Sequence, residues 1–322
     1  MRQLAALFVL LVAVLGAAAQ PAGKVYRVGY LTPFELPSSG SEAFRQGMRE
    51  LGYTEGRNLT IELRSARQRY GDLKTLAAEL AALKVDVIVA ATGVAALAAK
   101  GATSSIPIVA AASNDAVAMG LVASLGRPGG NLTGLSGMSA ELAPKRLEIL
   151  QQLVPGLKRV VALWCPRGPI SREEMGHVQA AAKVLGLAVE PVEFSESPES
   201  WRPTLDAALR QHRPGALYLL DCTNLPVQTI VDTALHYRLP TISPYLSATR
   251  LGALASYGPD WTEMHRRSAP VYVDKILKGA LPADLPVQQP TTFDLAVNTT
   301  TAKAIQLSIP RAFMARVNSV IE

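Results

Sequence analysis

Val85-Asp86-Val87-Ile88-Val89-Ala90-Ala91 runs directly into Thr92-Gly93-Val94-Ala95-Ala96-Leu97-Ala98-Ala99-Lys100, and the fold is read from that junction. The first segment is apolar except for Asp86, has the length of a strand and shows no polar alternation. A strand buried on both faces of a parallel sheet has that character. Thr92 and Gly93 then form a tight turn that opens a helix, with Thr92 in the N-cap position. Strand, short turn and helix together make half of a βαβ unit.

The same rhythm extends outward in both directions. Upstream, Val25 to Leu31 reads as a strand, followed by a Pro/Ser/Gly loop. Phe44, Met48 and Leu51 then share one helical face, which Gly52 ends. Asn58 to Leu63 alternates as a second strand, and Leu73, Leu76, Ala77 and Leu80 mark the next helix. Downstream, Ile106 to Ala110 is another strand, and Ala116 to Leu125 is expected to be a helix stopped by Gly126. After Gly126-Arg127-Pro128-Gly129-Gly130 the plan restarts. Val160 to Trp164, Leu187 to Val192, Ala216 to Leu220 and Thr241 to Ser243 are strands; helical stripes at Met175–Leu185, Trp201–Leu209 and Val227–Tyr237 separate them.

Two copies predict an α/β protein of two doubly wound, Rossmann-like parallel-sheet domains. The last part starts no third copy. Leu254 to Tyr257 and Thr292 to Val297 read as strands, and Thr262 to Lys278 as a long helix, so the chain is expected to return to each domain in turn. That gives a first lobe of 24–132 plus about 258–284, a second of 138–255 plus about 290–322, and a hinge where the chain crosses between them.

Composition agrees with an ordinary globular chain: 49% of the 322 residues are hydrophobic and 18% charged. A net charge of +6 comes from Lys and Arg scattered singly, with no basic run or basic aromatic cluster, so it reads as a solvated surface rather than a nucleic-acid interface. Residues 1–19 have the layout of a secretory signal peptide. Met1-Arg2-Gln3 is a basic start, Leu4 to Gly16 is apolar and Ala17-Ala18-Ala19 is a small-residue cleavage signature. The apolar run, about 13 residues, is short of the ~20 a spanning helix needs. Cleavage before Gln20 and a soluble, exported mature protein are expected.

Constellations that mark catalysis do not emerge. His177, His212, His236 and His265 are isolated in sequence, without partners at metal-ligand spacing. Gly134-Leu135-Ser136-Gly137 misses the nucleophile-elbow pattern by one place, and the glycines at 126–130 lack the Lys-Ser/Thr of a phosphate loop. The sequence therefore predicts no enzyme activity, no catalytic residues, no metal site and no cofactor.

The chain resembles the periplasmic substrate-binding proteins of ABC transporters, in particular the tryptophan/tyrosine-type transport receptors. The resemblance rests on an ordered set of segments. They include Val28-Gly29-Tyr30-Leu31, Phe44 to Tyr53, Ala91-Thr92-Gly93, Gly120 to Gly134, Ala255 to Asp260, Tyr272 to Gly279 and Leu285 to Pro290. It implies a type I periplasmic-binding fold, with three crossings between lobes and a small-molecule ligand between them. It also implies a separate permease and ATPase as partners, with membrane contact only through the permease. Ala116, where the family commonly has Pro, and the loop Cys165 to Ile170 depart from the family pattern where ligand contacts are expected. A ligand-sensing protein that signals to a membrane receptor is an alternative, and a secreted enzyme is a weaker one.

Ligands of open parallel sheets bind beyond the carboxyl ends of the strands, where helix N-termini also point. In the first lobe that rule selects Pro33, Thr92, Gly93, Asn114 and Asp115; in the second it selects Arg167, Asp221, Thr223 and Tyr245, with Tyr257 near a crossing. Thr92 and Asp115 could instead only cap helices, Arg167 could be a solvated loop charge, and the two tyrosines could be packing residues. The expected ligand is a small organic carboxylate or amino-acid-like compound. Cys165 and Cys222 both follow strands and would adjoin if the second sheet had flavodoxin-like order; a disulfide and two separate thiols both remain open.

Overall fold

The computed structural model describes residues 24–166, 169–194, 198–222 and 225–322. The signal-like segment lies outside these residues. The first sheet is built from β1 (Tyr26–Thr32), β2 (Leu59–Ser65), β3 (Val87–Ala90), β4 (Ile108–Ser113) and β5 (Leu132–Ser136), with α1 (Ser39–Glu50), α2 (Leu73–Ala82) and α3 (Gly93–Ala102) as its crossovers. All its pairs are parallel, in the order β2-β1-β3-β4-β5. Alternate residues feed opposite faces. Val28, Tyr30, Val87 and Val89 pack against α1, while Leu31, Ile88 and Ala90 pack against α2 and α3 through Leu73, Ala77, Leu80 and Ala95.

The second sheet repeats the plan. Its elements are α4 (Ala143–Leu153), β6 (Arg159–Trp164), α5 (Pro169–Leu185), β7 (Ala188–Glu193), α6 (Pro198–His212), β8 (Ala216–Leu219), α7 (Val227–His236), β9 (Thr241–Ser243), α8 (Leu246–Arg250) and β10 (Ala255–Gly258). Next come α9 (Trp261–Ser268) and α10 (Asp274–Leu277), then β11 (Asp294–Asn298), α11 (Thr299–Ala304), α12 (Arg311–Met314) and β12 (Ser319–Ile321). The strand order is β12-β11-β10-β9-β8-β6-β7. Read from β7 to β10 it is the 2-1-3-4-5 order of the first sheet. The β10–β11 pair is antiparallel and the other pairs are parallel.

Three local readings differ from the sequence expectation. Ala116 to Leu125 is not a helix: a single turn follows Asp115, and Gly120 at φ +67° takes the chain out of the right-handed region. The long helix after Trp261 is interrupted by a π-turn at Ala269–Val273, where Pro270 has no amide N–H to donate. β5, unmarked by any apolar run, forms around Thr133 and Gly134.

The chain passes between the sheets three times: between β5 and α4, between β10 and α9, and on the way to β11. After the second passage, Met264, Ala269, Tyr272 and Val273 return to cover the face of the first sheet beside α1. Among the described residues, no helix is long and apolar enough to cross a membrane.

The approach of α1 to α9 depends on Gly47, where an added Cβ would stand 2.3 Å from the Arg266 carbonyl oxygen. That obstacle is backbone, so a substitution must move a helix. Gly47→Ala is expected to destabilise the protein by about 1–3 kcal/mol, measured as a lower urea midpoint with an unchanged m-value.

Candidate functional site

Because both sheets have the same strand order, their topological switch points, β1/β3 and β6/β8, can face each other across one cleft. A cleft of about 670 Å³ lies there. The first-sheet side contributes Tyr30, Thr32, Phe34, Ser38, Thr92 and Asn114, and the second-sheet side Leu219, Cys222, Leu225, Ser243, Tyr245 and Arg250. The residues around the second passage, Ser256, Asp260, Trp261 and His265, close one side together with Asp294.

Two helices open onto this space. At α1, the Ser38 hydroxyl accepts from the Ser41 amide at 3.2 Å and the Ser41 hydroxyl accepts from the Ser38 amide at 2.9 Å, a reciprocal capping box. At α3, the Thr92 hydroxyl accepts from the Ala95 amide at 3.3 Å. Helix geometry gives the first amides of each helix no intrahelical acceptor, so both ends favour an anion. Gly93 itself faces away: a Cβ there would meet the Met119 sulfur at 2.3 Å.

Groups from the two sides meet directly. The Asn114 side-chain amide donates to Asp221 Oδ2 and, at 3.1 Å, to the Tyr245 hydroxyl; that hydroxyl donates to Asp221 Oδ1 at 2.5 Å. Burial, and then the Asp221 charge, hold the Tyr245 phenol well above its ordinary pKa, so it remains a donor. The Tyr245 ring lies 5.8 Å from the Trp261 ring, centroid to centroid. The indole N–H of Trp261 is shielded from water and has no acceptor among the described residues. On the floor, the Tyr30 hydroxyl and His265 Nδ1 are 3.2 Å apart, and burial lowers the His265 pKa to about 4.

Of the residues selected from sequence, the structure brings Thr92, Asn114 and Tyr245 into the cleft wall, with Asp221 bonded to the last two. Pro33 sits between the lining residues Thr32 and Phe34, and its carbonyl accepts from the Gln68 amide at 2.6 Å. The Asp115 carboxylate accepts from the Val117 and Ala118 amides, each at 2.9 Å, and so caps the single turn that follows. Tyr257 packs its ring 6.0 Å from that of Phe293. Arg167 and Thr223 lie outside the described residues. Cys165 and Cys222 are joined in a disulfide, their Cα atoms 5.9 Å apart at the ends of the adjacent strands β6 and β8.

Sequence reasoning passed over Tyr30, His265 and Trp261. The last two lie on α9, which begins just past the carboxyl end of β10, where the strand-end rule selects Tyr257 instead. It also passed over a fully buried ion pair behind the cleft, Arg146 Nη2 to Glu174 Oε1 at 2.6 Å. Among the described residues no cluster of His, Cys, Asp and Glu could hold a metal ion.

Two measurements follow from this geometry. His265 is held neutral in the folded state, whereas the unfolded chain binds its proton below pH 6.5. Its contribution is therefore complete above that pH and lost as the pH falls toward 4. Between pH 7 and pH 4 the wild type should lose about 2–3 kcal/mol more stability than His265→Gln, read from urea unfolding at both pH values. Removing the disulfide with Cys165→Ser and Cys222→Ser together should lower stability by about 2–4 kcal/mol; equal midpoints for reduced and unreduced wild type would contradict it.

Comparison with known proteins places this architecture in a family. The family described as ABC transporter substrate binding protein matches residues 38–321. A tyrosine-binding protein of Clostridioides difficile (strain R20291) is 24% identical over 294 residues, covering 88% of this chain and 82% of that protein. A conserved domain protein from Vibrio cholerae superposes with a TM-score of 0.86 at 26% identity, over 92% of this chain and 100% of the other. The ABC domain from Streptococcus pneumonia in complex with L-Trp gives 0.85 at 24% identity, with the same coverage. Solute-binding proteins of ABC transporters with bound allitol and D-allose share the type I periplasmic-binding fold at lower identity. With two α/β domains, a cleft at both switch points and a family match along nearly all of its described length, the chain belongs to the ABC transporter substrate-binding protein family.

Proposed function

We propose that this chain is the periplasmic solute receptor of an ABC importer and that it captures an amino acid with a large apolar side chain. In this reading residues 24–132 plus about 258–284 form one lobe and 138–255 plus about 290–322 the other. The lobes close on the solute and present it to a permease driven by a separate ATPase. The signal-like residues 1–19 would direct export, and no chemical step is required of the protein.

The observation that carries the reading is the Asn114–Asp221–Tyr245 cluster at the seam of the cleft. A carboxylate there, 5% exposed, is the counter-charge that a solute ammonium needs. The N-termini of α1 and α3, on the first-sheet side, suit the solute carboxylate. Between these poles Phe34, Leu219, Leu225, Tyr245 and Trp261 offer apolar and aromatic surface, and the Trp261 N–H can serve an acceptor on the side chain. The volume suits a molecule of that size. Relatives that bind tyrosine and tryptophan support the same class.

A ligand that touches both sides binds the closed form better than the open one, and that difference drives closure. L-tyrosine or L-tryptophan at about 100 times its dissociation constant should add about 2.7 kcal/mol to apparent stability, read as a rise in Tm. Asp221→Asn should weaken L-amino-acid binding by about 1.5–3 kcal/mol while leaving the des-amino acids, 3-(4-hydroxyphenyl)propionate and indole-3-propionate, almost unaffected. Equal losses for both classes would remove Asp221 from the ammonium site. No shift with any amino acid, beside a clear shift with a sugar, would defeat the solute class.

A further inference from the structure

Behind Asp221 lies a set of polar side chains that no solute can reach. Arg146, on α4, is fully buried, and its guanidinium serves four acceptors. Nε donates to the Tyr218 hydroxyl at 3.0 Å and Nη1 to the Tyr257 carbonyl at 3.4 Å. Nη2 donates to the Ser139 carbonyl and, at 2.6 Å, to Glu174 Oε1. Glu174, on α5 and equally buried, turns its other oxygen to the Asp221 backbone, whose amide donates to Oε2 at 2.6 Å. The Tyr218 hydroxyl donates onward to the Ala143 carbonyl at 3.2 Å.

We infer that Arg146 and Glu174 are positioning residues for solute binding: Glu174 fixes the backbone of Asp221 at the cleft, and Arg146 locks Glu174 to the first two of the three chain passages between the sheets. The inference rests on the reading of Asp221 as the ammonium partner. Three features support it. First, a buried ion pair carries a large desolvation cost and is often no more stabilising than apolar residues of the same volume, so fixing geometry is the better account of its presence. Second, its partners have a pattern. Ser139 lies in the first passage between sheets and Tyr257 at the end of β10, just before the second, so one guanidinium holds both. Third, Asp221 is fixed from its other side as well, because the next residue, Cys222, is bonded to Cys165.

A mechanical consequence follows. Arg146 is bound to Tyr218 of the second sheet and to Glu174 of the helix packed upon it, so it moves with that domain. Ser139 and Tyr257 must move with it. In the first two passages the bend is thereby confined to residues before Ser139 and after Tyr257, near Gly137 and Gly258, while among the described residues of the third, on the way to β11, none bonds to Arg146. When the lobes close, Asp221 and the pivot belong to one rigid unit, and the distance from pivot to ammonium partner stays constant.

The test compares four proteins, wild type, Glu174→Gln, Asp221→Asn and the double variant, by titration with L-tyrosine, L-tryptophan and the two des-amino acids named above. Glu174→Gln keeps the shape and removes the charge that holds Arg146 in place. It should weaken L-amino-acid binding about 10-fold while changing des-amino binding less than about 2-fold, and the double variant should be no weaker than Asp221→Asn alone. A purely structural role would weaken both classes equally, and that result overturns the proposal. So does an unchanged preference in Glu174→Gln when Asp221→Asn abolishes it. An Asp221→Asn protein that retains its preference for the amino group overturns the ammonium reading and this proposal together. If Glu174→Gln does not fold, hydrogen exchange on the wild type decides: the Asp221 amide should be protected, and equally so with and without L-tyrosine. Exchange at the rate of an exposed loop amide would overturn it.

Discussion

A parallel strand can be followed by another parallel strand only if the chain crosses back over a face of the sheet, and here helices make all of those crossovers but the one from β4 to β5. From that constraint most of this molecule follows. Every strand of β1 to β5 ends at the same edge, every crossover helix begins there, and the faces must be apolar because helices cover both. The second sheet obeys the same rule through β10. Placed edge to edge, the two switch points bring helix N-termini from one side to a carboxylate and a phenol from the other. The cleft and its polar lining are products of topology before any particular side chain refines them.

The refinement works in layers. In the wall, Asn114, Asp221 and Tyr245 satisfy one another across the cleft, which leaves no buried polar group of the cluster without a partner. Behind the wall, Glu174 and Arg146 hold the backbone from which Asp221 projects. Burial raises the Glu174 carboxyl, and the adjacent guanidinium opposes that shift. A fully buried guanidinium needs a counter-charge, and a 2.6 Å contact to Glu174 provides it.

How much of this was legible in sequence depended on whether a residue's role is local. Val85 to Ala91 announced a buried strand because nothing polar interrupts it beyond Asp86, and Thr92 announced the helix because capping involves only its own first turn. The strand-end rule therefore reached Thr92, Asn114 and Tyr245. It overstated Ala116 to Leu125, where an apolar run with helical spacing closes after one turn at Gly120. It missed β5, whose Thr133 and Gly134 match no strand pattern; the glycine is needed there because a Cβ would meet the Ala110 carbonyl oxygen at 2.1 Å. Arg146 and Glu174 were invisible for a deeper reason. A charged residue beside an amphipathic stripe looks solvated until a partner from another helix is known, and that partner is 28 residues away. His265 was hidden similarly, since its partner Tyr30 lies 235 residues earlier in the chain.

The return of α9 and α10 to the first sheet governs the order in which this chain can become compact. As residues emerge in sequence, β1 to β5 can assemble with α1, α2 and α3, but the strip of Val28, Tyr30, Val87 and Val89 lacks the cover that Met264, Tyr272 and Val273 supply. In a nascent chain α1 can cover part of that strip, but the rest waits until the second sheet from β6 to β10 has been made. Contacts of such long sequence separation form slowly, because chain entropy is lost before the contacts repay it. The topology that carries the chain back to the first sheet therefore acts as a delay. It keeps one face of the first sheet incomplete until residues 264–273 have been made.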